Sequence, residues 1–300
     1  MNHPSGGGVP FVSKLSSVEK HIDNKGAQSS VAFIYQAKIA ELLRNVTATW
    51  SKNLINHSFS ITVENMKDDQ NHYTCKIDLK AWQFWGKKGL KNLEVDGRRV
   101  DVFWDFRQAK FSSSPDPCSD YYVALVCEEE VVLLLGDLKN DALKRTRKKP
   151  SPAEATLLYK KEHVYGKKLF YTRAVLDESQ KEHDVVIESS LSGPDDPEMW
   201  ITVDGTMEIR IMNLNWRFRG NETITVNDVP VQILWDVHDW LFNSSGSSHG
   251  LFVFQPGPLD SEPNKHKNYS NNNTINEKKS KDLSQSALEC YHILYAWKIE

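Results

Sequence analysis

Residues 235–240 carry the densest set of polar side chains in the chain, including Asp236, His238 and Asp239. If this segment is a β-strand, Asp236 and His238 project to the same face. A carboxylate beside an imidazole can orient the ring as a general base or a metal ligand, and His249 is the nearest further donor. A strand end, where Asp and His side chains bind turn backbone, is the simpler interpretation. We therefore predict no catalytic residue, metal or cofactor, and keep a metal-assisted His/Asp enzyme centred on His238 as an alternative.

The sequence contains none of the common catalytic motifs, whether a G-x-S-x-G elbow, a P-loop or a G-x-G-x-x-G turn that opens a helix. Cys118 precedes Ser119 and Asp120, which raises the question of a thiol nucleophile. A reactive cysteine needs a base and electropositive surroundings, and the sequence indicates neither. Pro115 and Pro117 indicate a turn instead, so Cys118 is not predicted to be catalytic.

The clearest block of like charge lies at residues 144–149. Its cations are Lys144, Arg145, Arg147, Lys148 and Lys149. Nuclear import, RNA backbone contact or anionic lipid contact can each use such a run. Because the net charge of the whole chain is −3, nucleic acid or anionic lipid would bind only through this run. The alternative is a solvated connector, and phosphorylation of the neighbouring Ser151 would offset part of its charge.

Short apolar or alternating runs follow one another from residue 31 to residue 254, and turn residues separate them. Over residues 73–81 apolar side chains occupy every second position, which predicts an antiparallel strand with one face in water. Asp96 and Gly97 lie between two such runs and indicate a tight hairpin. Nine tryptophans are a high count, and large aromatic side chains usually supply core contacts. Together these patterns predict an all-β fold.

Two stretches of the sequence, residues 93–111 and residues 224–242, match without a gap. Trp104 falls on Trp235, and the hairpin turns coincide. Identical hairpin spacing around both tryptophans favours a duplication over the general likeness of hairpins. We therefore predict two related antiparallel β units, either sandwich-like or partly closed barrels.

Changes in composition place the boundaries of the two units. A short helical stretch followed by prolines interrupts the strand pattern between the repeats. A later stretch rich in Asn, Ser, Lys and Pro cannot bury enough apolar area to offset chain entropy. The predicted organisation is a flexible leader at 1–28, a first β unit at 29–136, a basic linker at 137–155, a second β unit at 156–256, a disordered segment at 257–286 and a C-terminal strand at 287–300 that returns to the fold.

Cysteine usage and the lack of long apolar segments indicate the compartment. The four cysteines form no C-x-x-C pair, and the first thirty residues lack the apolar segment of a secretory signal. The chain has no run of eighteen apolar residues, so we expect no membrane span. We expect reduced thiols and a cytoplasmic or nuclear protein.

Several motifs in one order resemble a known family. They include Pro117-Cys-Ser-Asp-Tyr-Tyr-Val-Ala-Leu125, Asp196-Pro-Glu-Met-Trp-Ile201, Trp216-x-Phe-Arg-Gly220, Trp235-Asp-Val-His-Asp-Trp-Leu-Phe242 and Leu294-Tyr-Ala-Trp-Lys-Ile-Glu300. The chain resembles the plant family called domain of unknown function 868 over about residues 29–258 and the last dozen. The resemblance implies a plant protein and provides no activity or site residues to carry over.

Three functional hypotheses follow from these observations. The leading one is a non-catalytic interaction module that uses sheet faces or loops to bind a partner, such as a protein. The second is a small-molecule or lipid-binding β-barrel, which an apolar cavity in one unit would favour. The third is the enzyme centred on His238, which a cleft gathering Asp236, His238 and His249 would favour.

Overall fold

A computed structural model describes residues 28–53, 56–65, 72–79, 86–177, 179, 181–191, 196–243, 248–257 and 290–299. Two meanders, each with four main strands, make up the first β unit. The first meander is β1 (Ser29–Ile39), β2 (Leu42–Lys52), β3 (His57–Val63) and β4 (Tyr73–Leu79). The second contains β5 (Lys88–Val95), β6 (Arg98–Asp105), the short strands β7 (Lys110–Phe111) and β8 (Pro117–Ser119), then β9 (Tyr122–Cys127) and β10 (Glu130–Leu135).

The second β unit repeats this plan after a short connection. The connection holds α1 (Lys139–Thr146) and β11 (Lys149–Pro150). The long strand β12 (Thr156–Gly166) leads into β13 (Leu169–Val175), β14 (Glu182–Ser190), β15 (Glu198–Val203) and β16 (Thr206–Ile211). The last meander comprises α2 (Leu214–Arg217), β17 (Arg219–Val226), β18 (Val229–Asp236), α3 (His238–Phe242), β19 (His249–Pro256) and β20 (Tyr291–Lys298).

Alternating side chains explain why these segments form half-buried strands. In β4, Cys75, Ile77 and Leu79 are buried, whereas Thr74 and the charged residues between them are exposed. This is the two-residue period that the sequence predicted for the segment.

The strands form two packed layers in each unit. The nine-stranded sheet has the order β17-β18-β19-β20-β12-β1-β2-β3-β4, and it spans both units. One core lies between β1–β4 and the sheet β11-β10-β9-β6-β5, and a second core lies between β17–β20 and the sheet β13-β14-β15-β16. The sheets are not closed into a barrel, so the sandwich-like form of the all-β prediction is the correct one.

The two hairpins that contain Trp104 and Trp235 have the same atomic contacts. The indole Nε1 of Trp104 donates to the carbonyl of Gly86 at 2.7 Å, and that of Trp235 donates to the carbonyl of Arg217 at 3.0 Å. Gly89 and Gly220 occupy equivalent positions under these rings, where any added Cβ would overlap the indole. The surroundings therefore match position by position, as the predicted duplication requires. The sequence also resembles itself at Trp82-x-Phe84-x-Gly86 and Trp216-x-Phe218-x-Gly220, and of these residues Trp82 and Phe84 lie outside the described part of the chain.

The connection between the units is packed against the first of them. Ala142 of α1 is fully buried against the outer face of β9, where Tyr122, Ala124 and Val126 contribute to a small third cluster. The helical part of the connection is therefore packed against the first unit. With eight residues, α1 is the longest helix in the described ranges, none of whose helices is long and apolar enough to cross a membrane.

The C-terminal strand returns to the fold as predicted. β20 lies between β19 and β12 in the nine-stranded sheet, antiparallel to β19 and parallel to β12. Of the predicted leader and disordered segment, residues 1–27 and 258–286 lie outside the described part of the chain.

The nine-stranded sheet contains strands of both units, and in each unit it leaves two neighbouring strands unpaired. The unpaired strands are at a different place in each unit. β12 is the counterpart of β1, because both are eleven-residue strands that a two-residue turn joins to the next strand. β20 is the counterpart of β10, the last strand of its meander. β1 pairs with β12 and β2 but not with β10, whereas β12 pairs with β1 and β20 but not with β13. The first unit is therefore open between β1 and β10, and the second between β12 and β13.

Candidate functional site

The polar cluster at the end of β18 is a turn rather than one strand face. β18 ends at Asp236 and α3 begins at His238, so the expected alternation does not continue through this segment. The Asp236 carboxylate accepts the backbone N–H of His238 at 3.1 Å and pairs with Arg219 at 2.8 Å. Asp105 accepts the N–H of Arg107 in the same way in the first unit. The repeated geometry fits the role of a turn-forming carboxylate.

The candidate imidazoles are in different surroundings. The His238 ring lies 5.0 Å from the Phe242 ring, and its Nδ1 is 3.2 Å from a carboxylate oxygen of Asp239. His249 instead packs on Trp297, with ring centroids 4.6 Å apart. Within the described ranges, no group of three or more His, Cys, Asp or Glu residues could hold a metal ion.

The basic run of residues 144–149 spans the end of α1 and the start of β11. Lys144 and Arg145 lie in the last helical turn, Arg147 takes a left-handed conformation with φ of 57°, and Lys149 lies in β11. All four are exposed, whereas Lys148 is partly buried and pairs with Glu129 at 2.6 Å.

Carboxylates interrupt the basic surface. The cleft of about 400 Å³ beside Lys144 and Arg145 is also lined by Asp105, Asp120 and Asp141. These carboxylates weaken the attraction of an anionic polymer to the surface. Binding of nucleic acid or anionic lipid through this run stays a prediction.

A larger cleft of about 940 Å³ follows the open seam between β12 and β13, and we call it the polar cleft. Its walls include Lys160, Glu162 and Thr172, together with Tyr171, which is 63% exposed. Lys160, Glu162 and Thr172 are buried, although residues of these types are mostly exposed in folded proteins.

Glu162 is the centre of this buried polar group. Its Oε2 accepts the hydroxyl of Thr172 at 2.5 Å, lies 3.2 Å from Nε2 of His292 and lies 3.6 Å from the ammonium of Lys160. The Lys160 ammonium also donates to the carbonyl of Arg173 at 2.8 Å, which ties β12 to β13 across the cleft. The cluster therefore joins three strands, β12, β13 and β20.

The surroundings lower the pKa values of both Glu162 and His292. Burial alone would raise the pKa of Glu162, but the hydrogen bond from His292 and the charge of Lys160 lower that pKa to about 2. Burial lowers the pKa of His292, and the charge of Lys160 lowers it further. The Nδ1 of His292 is buried without a hydrogen-bond partner. We conclude that Glu162 is a carboxylate and His292 a neutral ring at neutral pH.

The arrangement does not form a nucleophilic triad. In such a triad the hydroxyl and the carboxylate bind opposite nitrogens of the imidazole. Here the Thr172 hydroxyl and the Glu162 carboxylate both face Nε2 of His292, at 3.3 and 3.2 Å. Local sequence patterns did not indicate that Glu162 meets His292, because 130 positions separate the two residues in the chain. Only the pairing of β12 with β20 brings them together.

The most exposed large apolar side chain of the described residues was also missed by the sequence analysis. Trp216 in α2 is 88% exposed, and Met212 and Phe242 of the same unit are 53% exposed each. The Phe242 ring contacts the ring of Phe218, which follows α2 directly. This end of the second unit therefore presents aromatic and thioether groups to solvent.

Comparisons with known proteins agree with the motifs. A family model described as a plant protein of unknown function, DUF868, matches residues 26–298. No curated protein and no solved structure matches the chain. The match covers almost the whole sequence and confirms the resemblance drawn from the motifs. The chain belongs to the plant protein family of unknown function DUF868.

Proposed function

We propose that this protein is a non-catalytic interaction module of the cytoplasm or nucleus that binds a partner protein through one end of its second β unit. The contact surface consists of Met212, Trp216, Arg217 and Phe242, and we call it the Trp216 surface. The observation that carries the proposal is the 88% exposure of Trp216. Tryptophan and arginine are the residues most enriched at the energetic centres of protein interfaces.

The segment that carries Trp216 is held in place from both sides. Leu214 is fully buried, and its N–H donates to the carbonyl of Pro197 at 2.8 Å. The carbonyl of Arg217 accepts the indole N–H of Trp235, and the next carbonyl accepts the N–H of Val237. A fixed backbone lowers the entropy lost when the side chain binds a partner.

The first unit partly buries the repeat position that the second unit exposes. Phe111 is the repeat counterpart of Phe242, and its ring packs against His57 at 4.2 Å and Trp50 at 6.4 Å. Phe242 packs on Phe218 and His238 and is still 53% exposed. Exposed apolar groups that cluster on a folded protein usually mark a binding surface.

The charges on this surface indicate the chemistry of the partner. Arg217 is exposed and forms no ion pair with any described residue, whereas Arg219 pairs with Asp236. A partner with an apolar pocket edged by carboxylates would cover Trp216 and neutralise Arg217. Nucleic acid or anionic lipid would use residues 144–149, which lie on the other unit.

Affinity capture from plant tissue tests the proposal. The full chain, Trp216→Ala and Arg217→Glu serve as baits, and quantitative mass spectrometry compares the retained proteins. We expect one set of proteins to bind the wild type and to fall at least about tenfold with each variant. Raising the salt concentration should weaken the contribution of Arg217 to partner binding more than that of Trp216, because salt screens charges.

Leu43→Ala is the matched control, because Leu43 is 61% exposed on the first unit. It should retain the same proteins as the wild type. Thermal melts of all baits establish that they are folded. Equal capture by the wild type and by Trp216→Ala would contradict the proposal.

A further inference from the structure

The first β unit contains a cleft of about 760 Å³ along its own open seam, and we call it the seam cleft. It lies between β1 and β10, and α1 and residues 150–155 complete its walls. The cleft exists because β1 pairs with β12 of the second unit rather than with β10. Its volume is in the range of roughly 300–1,000 Å³ that holds drug-sized ligands.

Aromatic side chains form much of the lining. Phe33 and Tyr35 come from β1, Trp50 comes from β2 and Tyr121 precedes β9, and aliphatic side chains of β10 lie among the other wall residues. The Trp50 ring is 1% exposed and meets the Tyr121 ring edge-on, with centroids 5.7 Å apart. Such a lining favours a flat, apolar ligand that contains a ring.

Two phenol groups give the seam cleft its polar character. Tyr35 and Tyr121 are half-buried residues of the lining, and neither hydroxyl forms a hydrogen bond with another described residue. Each phenol can therefore donate to a bound ligand. Burial raises the pKa of Tyr35 to about 12 and raises the pKa of Tyr121 as well. Both side chains line the same cleft. Both remain neutral donors at neutral pH.

We propose that the seam cleft binds a small, uncharged, ring-containing molecule whose oxygen accepts hydrogen bonds from Tyr35 and Tyr121. Two charged residues line the wall, Lys139 and Glu154, and their charges are opposite. The lining therefore does not favour a charged ligand over a neutral one. The site is in the first unit and is independent of the Trp216 surface. It is a surface seam between two sheets, unlike the interior of a barrel.

A fluorescent probe of the same chemistry tests the site in the full chain. The probe is 6-propionyl-2-(dimethylamino)naphthalene, a neutral two-ring fluorophore with one ketone oxygen. We expect its emission to shift to the blue and to saturate at one probe per chain. The double variant Tyr35→Phe/Tyr121→Phe should bind about tenfold more weakly, because two neutral hydrogen bonds are lost.

Ala155→Trp fills the seam cleft from its wall and should abolish binding. Tyr171→Phe in the polar cleft and Trp216→Ala should bind the probe as the wild type does. Thermal melts establish folding, and the conservative tyrosine variant keeps the test decisive if Ala155→Trp does not fold. The proposal is overturned if the wild type shows no saturable binding, if the double tyrosine variant binds with unchanged affinity, or if Trp216→Ala abolishes binding.

Discussion

His292 and Glu162 meet inside the second β unit, with Nε2 of the ring 3.2 Å from Oε2 of the carboxylate, although 130 positions separate them in the chain. The parallel pairing of β20 with β12 creates this contact, since His292 stands opposite Lys160 in the register. A one-residue slip of β20 would turn its side chains to the other face and separate the pair. We infer that the buried charges help to fix the register of the returning strand.

Glu162→Gln should be strongly destabilising. The variant removes the buried carboxylate that faces the Lys160 ammonium and leaves that ammonium the more exposed carboxylate of Glu182 at 3.9 Å. Breaking a buried pair costs roughly 3–5 kcal/mol. Urea unfolding at pH 7 measures the loss. Glu188→Gln is the control, because Glu188 is exposed on β14, and a surface change should stay within about 0.5 kcal/mol. Equal effects of the two variants would show that the cluster contributes little.

The free energy of unfolding should fall as the pH falls below about 6.5. The folded state holds His292 neutral because its pKa is lowered, so the unfolded state binds the proton more readily. Glu162 adds a second loss as the pH falls from its ordinary value near 4.5 toward about 2. His163, whose pKa burial lowers to about 4, acts in the same direction as His292.

Unfolding experiments at pH 7.5, 6.0, 5.0 and 4.0 give the change in the free energy of unfolding with pH. His292→Gln removes one of the titrating groups and should flatten the curve between pH 6.5 and 5. A wild-type stability that stays constant over that interval would contradict the assignment of a neutral buried ring.

Trp104→Ala and Trp235→Ala should each cost roughly 3–5 kcal/mol, because both indole rings fill a core. Trp216→Ala should change stability by no more than about 0.5 kcal/mol, since its ring is in solvent. Thermal melts of the three variants make the comparison. An unchanged melt for either core variant would remove that tryptophan from the core.

Gly89→Ala and Gly220→Ala test the duplication at atomic detail. In both hairpins the added methyl would overlap the indole ring across the strand pair, and overpacking of this kind costs roughly 1–3 kcal/mol. The two losses should be similar because the surroundings match. A large loss in one unit with none in the other would mean that the two hairpins differ in packing.

The positions of the strands along the chain and the repeat could be predicted because they depend on local patterns. The two-residue period of β4 and the hairpin spacing around Trp104 are visible in the sequence. The sequence left open whether the segment from Asp236 to His238 continues a strand or ends one, and the structure has Asp236 accepting the N–H of His238 at the start of α3. The residue type of a polar side chain does not reveal whether that residue ends a strand or continues it.

Contacts between distant strands could not be predicted. The Glu162 cluster depends on which strand β20 joins, and no spacing in the sequence records that choice. Trp216 was also hidden, because the residue type alone does not separate an exposed tryptophan from a core residue such as Trp104. Its exposure depends on the short helix α2, which is held at the end of the sandwich.

The binding constant of the captured partner tests the central claim most directly. Isothermal titration of the purified partner against the wild type and Trp216→Ala compares the two dissociation constants. The account predicts a loss of at least about thirtyfold for the variant, as expected for the central tryptophan of an interface. Equal dissociation constants, with both proteins folded, would contradict it.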